Sequence, residues 1–128
     1  MKLLLDTHLL IWSSWNPQKV SPAGHNLINN LDNELFFSVA NLWEITIKQA
    51  LKKKDFQIDA RLLRRGLLDN GYNELIITSD HAFAVPALPA LHRDPFDRIL
   101  IAQAMVEGIT LLTADPIVAR YPGPIQKV

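Results

Sequence analysis

The sequence predicts a three-layer α/β/α domain in which helices cover both faces of a mostly parallel β-sheet. Short continuous apolar runs, such as KLLLD at 2–6, alternate with segments of helical period. Continuous runs are typical of strands buried on both faces, and the alternation is typical of strands joined by right-handed helical crossovers. No stretch has the composition of a linker, so residues 1–128 are expected to form one domain.

Caps and breakers define the elements of the N-terminal half. The segment NPQ stops the first helix. Ser21 followed by Pro22 is a cap and first-turn pair that begins the second helix. The elements expected in this half are strands at 2–6 and 34–39 and helices at 7–15, 21–33 and 40–54.

The C-terminal half continues the alternation. Asn70 and Gly71 form a helix stop, and Gly108 closes the last long helix. Pro86 and Pro89 break residues 80–92 into short helical pieces. The elements expected here are strands at 73–79, 109–115 and 125–128 and helices at 60–71 and 94–108.

The composition indicates a globular protein without disulfides or thiolate metal sites. Hydrophobic residues make up 48% of the 128 residues, and there is no cysteine, so a reducing cytoplasm is the expected location. Thirteen basic and thirteen acidic residues cancel, and the net charge favours neither nucleic acid nor a membrane as a partner. Because Asp6 and His8 interrupt the apolar N-terminus, we expect neither a signal peptide nor a membrane span.

Two of the four clear strands end in an aspartate, where open parallel sheets form their sites. Asp6 ends KLLLD and Asp115 ends ITLLTAD, and the carboxyl ends of parallel strands meet at one edge. Each aspartate alone is explained as the cap of the next helix. Together, on adjacent strands, they predict two like charges at one edge, which is costly unless a cation lies between them.

Glu44 is a further candidate, because it lies within two turns of the start of the helix that follows the second strand. An i,i+4 ion pair with Lys48 explains Glu44 without any function. Against that explanation, Trp43 and Ile45 on either side of Glu44 leave it little purely aqueous surface.

Asp94 and Asp97 begin the helix before the last long strand. Asp94 followed by Pro95 is the expected cap and first-turn pair, which favours a structural role for Asp94. Asp97 falls at the third helical position, where an acid can complete a capping box or face the helix dipole. A helix already capped by Asp94 has less need of a second acid, so both a capping role and a place in the acidic cluster stay open for Asp97.

Several carboxylates without cysteine indicate a site for a hard cation. Mg²⁺ and Mn²⁺ take oxygen ligands and are held by a few carboxylates together with substrate phosphate oxygens. Such a cation lowers the pKa of water and offsets charge on phosphate oxygens. With the nearby hydroxyls of Thr7, Ser38 and Thr113, the set fits metal-assisted phosphodiester hydrolysis.

Four segments resemble the PIN-domain ribonucleases, specifically the VapC-like toxins of bacterial toxin–antitoxin modules. They are LLLDTHLLIW, SVANLWEITIK, LPALHRDPFDRILIAQA and LLTAD, and they run in the family's order from residue 3 to about residue 121. The resemblance implies a magnesium- or manganese-dependent endoribonuclease that is inhibited by a cognate antitoxin protein and is often a homodimer. It also implies that Asp6, Glu44, Asp97 and Asp115 form the catalytic and metal-binding site, with Asp94 in a lesser role. KKKDFQID, after the Glu44 helix, departs from the pattern.

The distribution of cations suggests where RNA would bind. Seven of the thirteen lie between 48 and 65, namely Lys48, Lys52, Lys53, Lys54, Arg61, Arg64 and Arg65. They could follow a phosphate backbone or simply form a solvated helix end. Lys48, Lys52 and Arg98 are the predicted substrate contacts.

Of the four histidines, which form no zinc pattern, His92 is close in sequence to Asp97. Trp12 and Trp15 are predicted to be core residues, with a groove for a partner helix as the alternative.

Two other functions are compatible with the same residues. The chain could be a non-catalytic RNA-binding or assembly domain whose acids only cap helices and pair with cations. It could also be a metal-dependent nuclease that acts on DNA or structured flaps.

Overall fold

A five-stranded, fully parallel sheet forms the centre of the computed structural model, which describes all residues from 1 to 128. The strands are β1 (Lys2–Leu5), β2 (Glu34–Ser38), β3 (Asn73–Leu75), β4 (Thr110–Thr113) and β5 (Ile125–Lys127). Their order across the sheet is β3-β2-β1-β4-β5, and every neighbouring pair is parallel. The predicted fold class is therefore confirmed.

Six α-helices connect the strands. They are α1 (Thr7–Trp15), α2 (Pro22–Asn29), α3 (Val39–Ala50), α4 (Ala60–Asp69), α5 (Ser79–Ala84) and α6 (Pro95–Glu107), with three short 3-10 turns between them. Each α-helix begins at a polar side chain that accepts a hydrogen bond from a backbone N–H of the first turn. These caps are Asp6, Ser21, Ser38, Asp59, Thr78 and Asp94.

Apolar side chains of the central strands alternate between two buried cores, one on each face of the sheet. Leu3 and Leu5 of β1 pack into one core with residues of α1 and α4, whereas Leu4 packs into the other with residues of α6. Helix α3 contributes to both cores, with Ala40 in one and Ile45 in the other. This position takes α3 across the carboxyl edge of the sheet.

Three elements end four residues earlier than the sequence predicts, and the other differences are of one or two residues. Helix α2 stops at Asn29 rather than 33, because Asn30 Oδ1 accepts from the Asp32 N–H (2.9 Å) in a local turn that competes with the helix. Helix α3 stops at Ala50 rather than 54, and Lys52 follows in the left-handed region. Strand β3 stops at Leu75, and the chain turns into α5 at the capping residue Thr78.

No helix has the length and apolar character that crossing a membrane requires.

Candidate active site

Asp6, Glu44 and Asp97 come together at the carboxyl edge of the sheet. Leu5 pairs with Leu112 in the parallel register of β1 and β4, so Asp6 lies beside the end of β4. Glu44 reaches the same edge from α3, and Asp97 reaches it from the first turn of α6. Each acid is close enough to the other two for their charges to interact. Asp6 and Glu44 are buried, and the Asp97 side chain is 19% exposed.

Asp6 combines a capping role with a position at the centre of this acidic edge. Its Oδ1 accepts from the Leu9 N–H (3.0 Å), and its Oδ2 accepts from the Thr113 hydroxyl (2.5 Å). Burial raises the pKa of Asp6 to about 7, the two hydrogen bonds oppose the shift, and the charges of Asp97 and Glu44 add to it. The deprotonated form of Asp6 is therefore disfavoured until a positive charge arrives.

Glu44 is fixed at both carboxylate oxygens. Its Oε1 accepts from the Thr7 hydroxyl (2.5 Å), and the Thr7 oxygen in turn accepts from the Asn41 amide (2.9 Å). Its Oε2 accepts from the Lys48 ammonium (2.5 Å), the i,i+4 pair that the sequence indicates. Burial would lower the pKa of Lys48, but the bond to Glu44 and the nearby acidic charges outweigh it and raise that pKa. The Lys48 ammonium therefore balances part of the negative charge at the acidic edge.

His92 orients Asp97, which it contacts through Nε2 (3.0 Å to Oδ2). The hydroxyl of Tyr121 accepts from the His92 backbone N–H (3.3 Å) and from the Arg98 guanidinium (3.1 Å), and it lies 2.7 Å from His92 Nδ1. The Tyr121 hydroxyl also donates to the His92 backbone carbonyl (3.4 Å), so Tyr121 holds His92 in place beside Asp97. Burial and the charge of Asp94 raise the pKa of Asp97 to about 6.

Asp94 caps α6, as the sequence predicts. Its Oδ1 accepts from the N–H groups of Phe96 (2.9 Å) and Asp97 (3.2 Å). Its Oδ2 lies 3.9 Å from the Lys48 ammonium, so Asp94 also adds negative charge beside the three acids.

Asp115 is linked to the other acids only through Thr113. Its backbone N–H donates to the Thr113 oxygen (3.0 Å), and the Thr113 hydroxyl donates to Asp6. The Asp115 side chain turns to the N–H of Ile117 (2.8 Å), where it caps the loop before a 3-10 turn. The structure therefore brings together three of the four predicted acids directly, and the role of Asp115 stays a prediction.

The remaining predicted residues differ in their distance from the acids. Thr7 and Thr113 bond directly to Glu44 and Asp6. Ser38 is buried and donates to Gln103 Oε1 (2.6 Å) rather than to an acid. Lys52 is exposed beyond the end of α3, with no acidic partner.

Arg98, predicted as a substrate contact, has its guanidinium committed to the protein. It donates to the backbone carbonyls of Val85, Leu88 and Pro89. These bonds anchor the loop before α6. The contact of Arg98 with substrate stays a prediction.

Sequence reasoning missed Asn41 and Tyr121. Asn41 holds Thr7 and also accepts from the Ser38 N–H (2.6 Å), which completes a capping box. That box could have been found from the spacing of Ser38 and Asn41. Tyr121 contacts His92 across 29 residues of sequence, and no local pattern indicates such a contact.

The donor set fits a hard cation in chemistry. The edge carries carboxylate and hydroxyl oxygens, which are the ligands that Mg²⁺ and Mn²⁺ prefer. A divalent cation would offset the repulsion between the carboxylates, two of which have raised pKa values. No group of three acidic or histidine side chains converges tightly enough to hold an ion as arranged. Lys48 occupies one oxygen of Glu44, which leaves fewer free carboxylate oxygens at this edge.

A parallel sheet with this strand order, with three acids at its carboxyl edge, is what the family resemblance of the sequence leads us to expect. The PIN domain family model matches residues 3–124. The chain belongs to the PIN domain family.

Individual proteins are also similar to the chain in sequence or in fold. The chain is 28% identical over 125 residues to Ribonuclease VapC22 of Mycobacterium tuberculosis, an alignment that covers 96% of this chain and 95% of the relative. Its fold is similar to that of VapBC2 from Rickettsia felis bound to a DNA fragment from their promoter, with a TM-score of 0.74, 17% identity and coverage of 100% and 99% of the two chains. DNA-bound VapBC from Salmonella typhimurium gives a TM-score of 0.69 at 19% identity, with 99% and 98% covered.

Proposed function

We propose that this protein, as one domain over residues 1–128, is a metal-dependent endoribonuclease and the toxin of a toxin–antitoxin pair. The observation that carries the proposal is the meeting of Asp6, Glu44 and Asp97 at one sheet edge, in a PIN-domain chain 28% identical to a ribonuclease over nearly its whole length. A capping role alone explains neither the burial of Glu44 nor the approach of three like charges.

Asp6, Glu44 and Asp97 are the residues that would hold Mg²⁺ or Mn²⁺, with Asp115 joining them through its link to Thr113. A bound divalent cation supplies charge neutralisation and a lowered pKa for water at the phosphate. Thr7, Asn41 and Thr113 keep the carboxylates in position by donating to them or to their partners. His92 does the same for Asp97.

Lys48 has two roles in this proposal. In the absence of a divalent cation, its ammonium balances part of the charge of Glu44 and Asp94. When the acids bind a cation, the same ammonium is free to contact a phosphate oxygen of the RNA. Lys48→Ala should therefore weaken RNA binding and make that binding less dependent on salt concentration. Lys52 would contribute as an exposed phosphate contact beyond α3.

Cleavage of RNA by purified protein tests the proposed activity. We expect fragments from a single-stranded RNA in manganese and none with a chelator. The Asp97→Asn variant should lose more activity than the roughly 10- to 100-fold that removal of a partner of a metal ligand costs, because Asp97 is itself a proposed ligand. Lys2→Ala, an exposed lysine at the start of β1 and away from the acidic edge, serves as the folded control and should retain cleavage.

Matched DNA and flap substrates separate the proposal from its alternatives. Cleavage of DNA or a flap in preference to the RNA would assign a different substrate. Intact RNA in every lane, together with manganese binding measured in the same preparation, would favour the non-catalytic RNA-binding domain.

An apolar groove is our candidate for the antitoxin surface. It lies between α1, α2 and α4, has a volume of about 690 Å³, and is lined by residues that include Trp15, Leu31 and Leu62. Trp12, by contrast, is partly buried against the core. The occupant we propose is an antitoxin segment, since the structural neighbours include VapBC complexes.

We also propose that the toxin self-associates as a homodimer, which sedimentation velocity of the purified chain would test.

A further inference from the structure

Trp43 is an exposed aromatic residue that neither the cores nor the groove accounts for. Its side chain is 55% exposed, although it immediately precedes the buried Glu44 on α3. It does not line the apolar groove between α1, α2 and α4. The ring that it contacts is that of Phe96, in the first turn of α6, with ring centroids 5.2 Å apart.

Phe96 connects Trp43 to the acidic edge. Phe96 precedes Asp97, and its backbone N–H is held by the Asp94 carboxylate (2.9 Å). The Lys48 ammonium lies 6.0 Å from the centroid of the Phe96 ring and 2.5 Å from Glu44 Oε2. The sequence of contacts Trp43, Phe96, Lys48 and Glu44 therefore leads from an exposed ring to a buried carboxylate.

The ring geometry leaves the aromatic surface of Trp43 exposed to solvent. Trp43 and Phe96 meet at an interplanar angle of 85°, edge to face, so they do not cover each other as stacked rings would. More than half of the Trp43 side chain is left in water. Trp43 thus offers an exposed aromatic ring on one side of Phe96, with the Lys48 ammonium 6.0 Å from the Phe96 centroid. This spacing of aromatic surface and positive charge matches a nucleotide, in which a flat base is joined to an anionic phosphate.

We propose that Trp43, supported by Phe96, is a stacking platform for the base of a nucleotide next to the phosphate that enters the acidic edge. The proposal rests on the ribonuclease function proposed above and assigns a substrate-positioning residue to it. Because a base within a duplex is already stacked on its neighbours, the platform takes an unpaired base. Stacking on Trp43 accepts any base, so it places the strand and leaves sequence choice to other contacts.

Binding of a short labelled RNA without self-complementarity tests the platform. All proteins carry Asp97→Asn, so that the RNA is not cut during the measurement. Trp43→Leu, which keeps apolar bulk but removes the aromatic face, should weaken binding by roughly 5- to 150-fold. Trp43→Phe should retain most of the affinity. Phe83→Ala removes another exposed aromatic, 77% exposed on α5, and should bind like its parent.

Three outcomes decide the proposal. Weaker single-strand binding by Trp43→Leu, with unchanged binding of the same RNA as a duplex, supports it. Equal affinity of Trp43→Leu and its parent overturns it, as does an equal loss in Phe83→Ala, because Trp43 would then belong to a different surface or act without selectivity. Thermal unfolding checks that each variant is folded. We expect this result because Trp43 and Phe83 are both exposed.

Cleavage by otherwise unaltered protein separates this proposal from the one on which it rests. If wild-type protein cuts RNA and Trp43→Leu cuts it with unchanged kcat and KM, the platform is wrong and the ribonuclease assignment stands. If wild-type protein cuts no RNA while Trp43-dependent single-strand binding persists, the ribonuclease assignment is wrong and the stacking site stands.

Discussion

At the scale of single residues, burial makes the carboxyl groups of Asp6 and Asp97 hard to ionise, whereas binding of a cation requires them to be ionised. Burial raises the pKa of Asp6 to about 7 and that of Asp97 to about 6. Hydrogen bonds from Thr113 and His92 act in the opposite direction and hold each side chain in place. The protein therefore maintains two carboxyl groups that are hard to ionise at one edge, which is a cost that cation binding would remove.

The raised pKa values predict that metal-free protein becomes less stable as pH rises. Between the ordinary value of 3.8 and about 6, folded Asp97 keeps a proton that the unfolded chain has lost, so the free energy of unfolding falls across this interval. Asp97→Asn imitates the protonated form and removes this dependence.

Thermal unfolding in chelator measures the effect. We expect wild type and Asp97→Asn to unfold at similar temperatures near pH 4, and the variant to become the more stable protein as pH rises from about 4 to about 6. Both proteins should lose further stability up to about pH 7, because both keep Asp6. A gap between the two proteins that stays constant with pH would contradict this account.

At the scale of elements, the cap of α6 shows how one helix start serves both fold and site. Asp94 accepts from two N–H groups of the first turn and thereby fixes the direction of Phe96 and Asp97. Asp94→Ala should destabilise the protein by about 1 kcal/mol, whereas Asp94→Asn keeps a capping oxygen and should cost less. Urea unfolding of both variants measures the difference, and an equal loss in the two would assign the effect to charge instead of capping.

The sequence predicted elements well where a local rule fixes them. Asp94 with Pro95 and Ser21 with Pro22 mark helix starts that the structure has, because caps act over a few residues. Element ends that depend on competing contacts were missed, such as the end of α2 at the Asn30 turn. In the site, strand ends indicated Asp6 and Asp115, helix positions indicated Glu44 and Asp97, and the family resemblance implied the same four acids. The orientation of His92 by Tyr121 depends on tertiary contact, which periodicity does not encode.

At the scale of the whole molecule, the two cores hold β1 rigidly beneath the acidic edge. Leu4 is fully buried in the core beside α6, whereas Leu31 is 99% exposed in the loop after α2. Leu4→Ala should lower the free energy of unfolding by about 2 to 5 kcal/mol, because it removes buried methyl groups and leaves a cavity. Leu31→Ala is the matched control and should change it by less than about 0.5 kcal/mol. Chemical denaturation measures both, and a similar loss in the two variants would contradict the assigned cores.

Calorimetric titration of manganese into the chelator-treated protein tests whether Asp6, Glu44 and Asp97 together bind a divalent cation. Near pH 6, where Asp97 is part protonated, wild-type protein should bind manganese saturably and release protons, which two buffers of different ionisation enthalpy would reveal. Asp97→Asn should bind at least about 10-fold more weakly and release fewer protons. Heats no larger than dilution for the wild type, or identical isotherms for the two proteins, would contradict the claim.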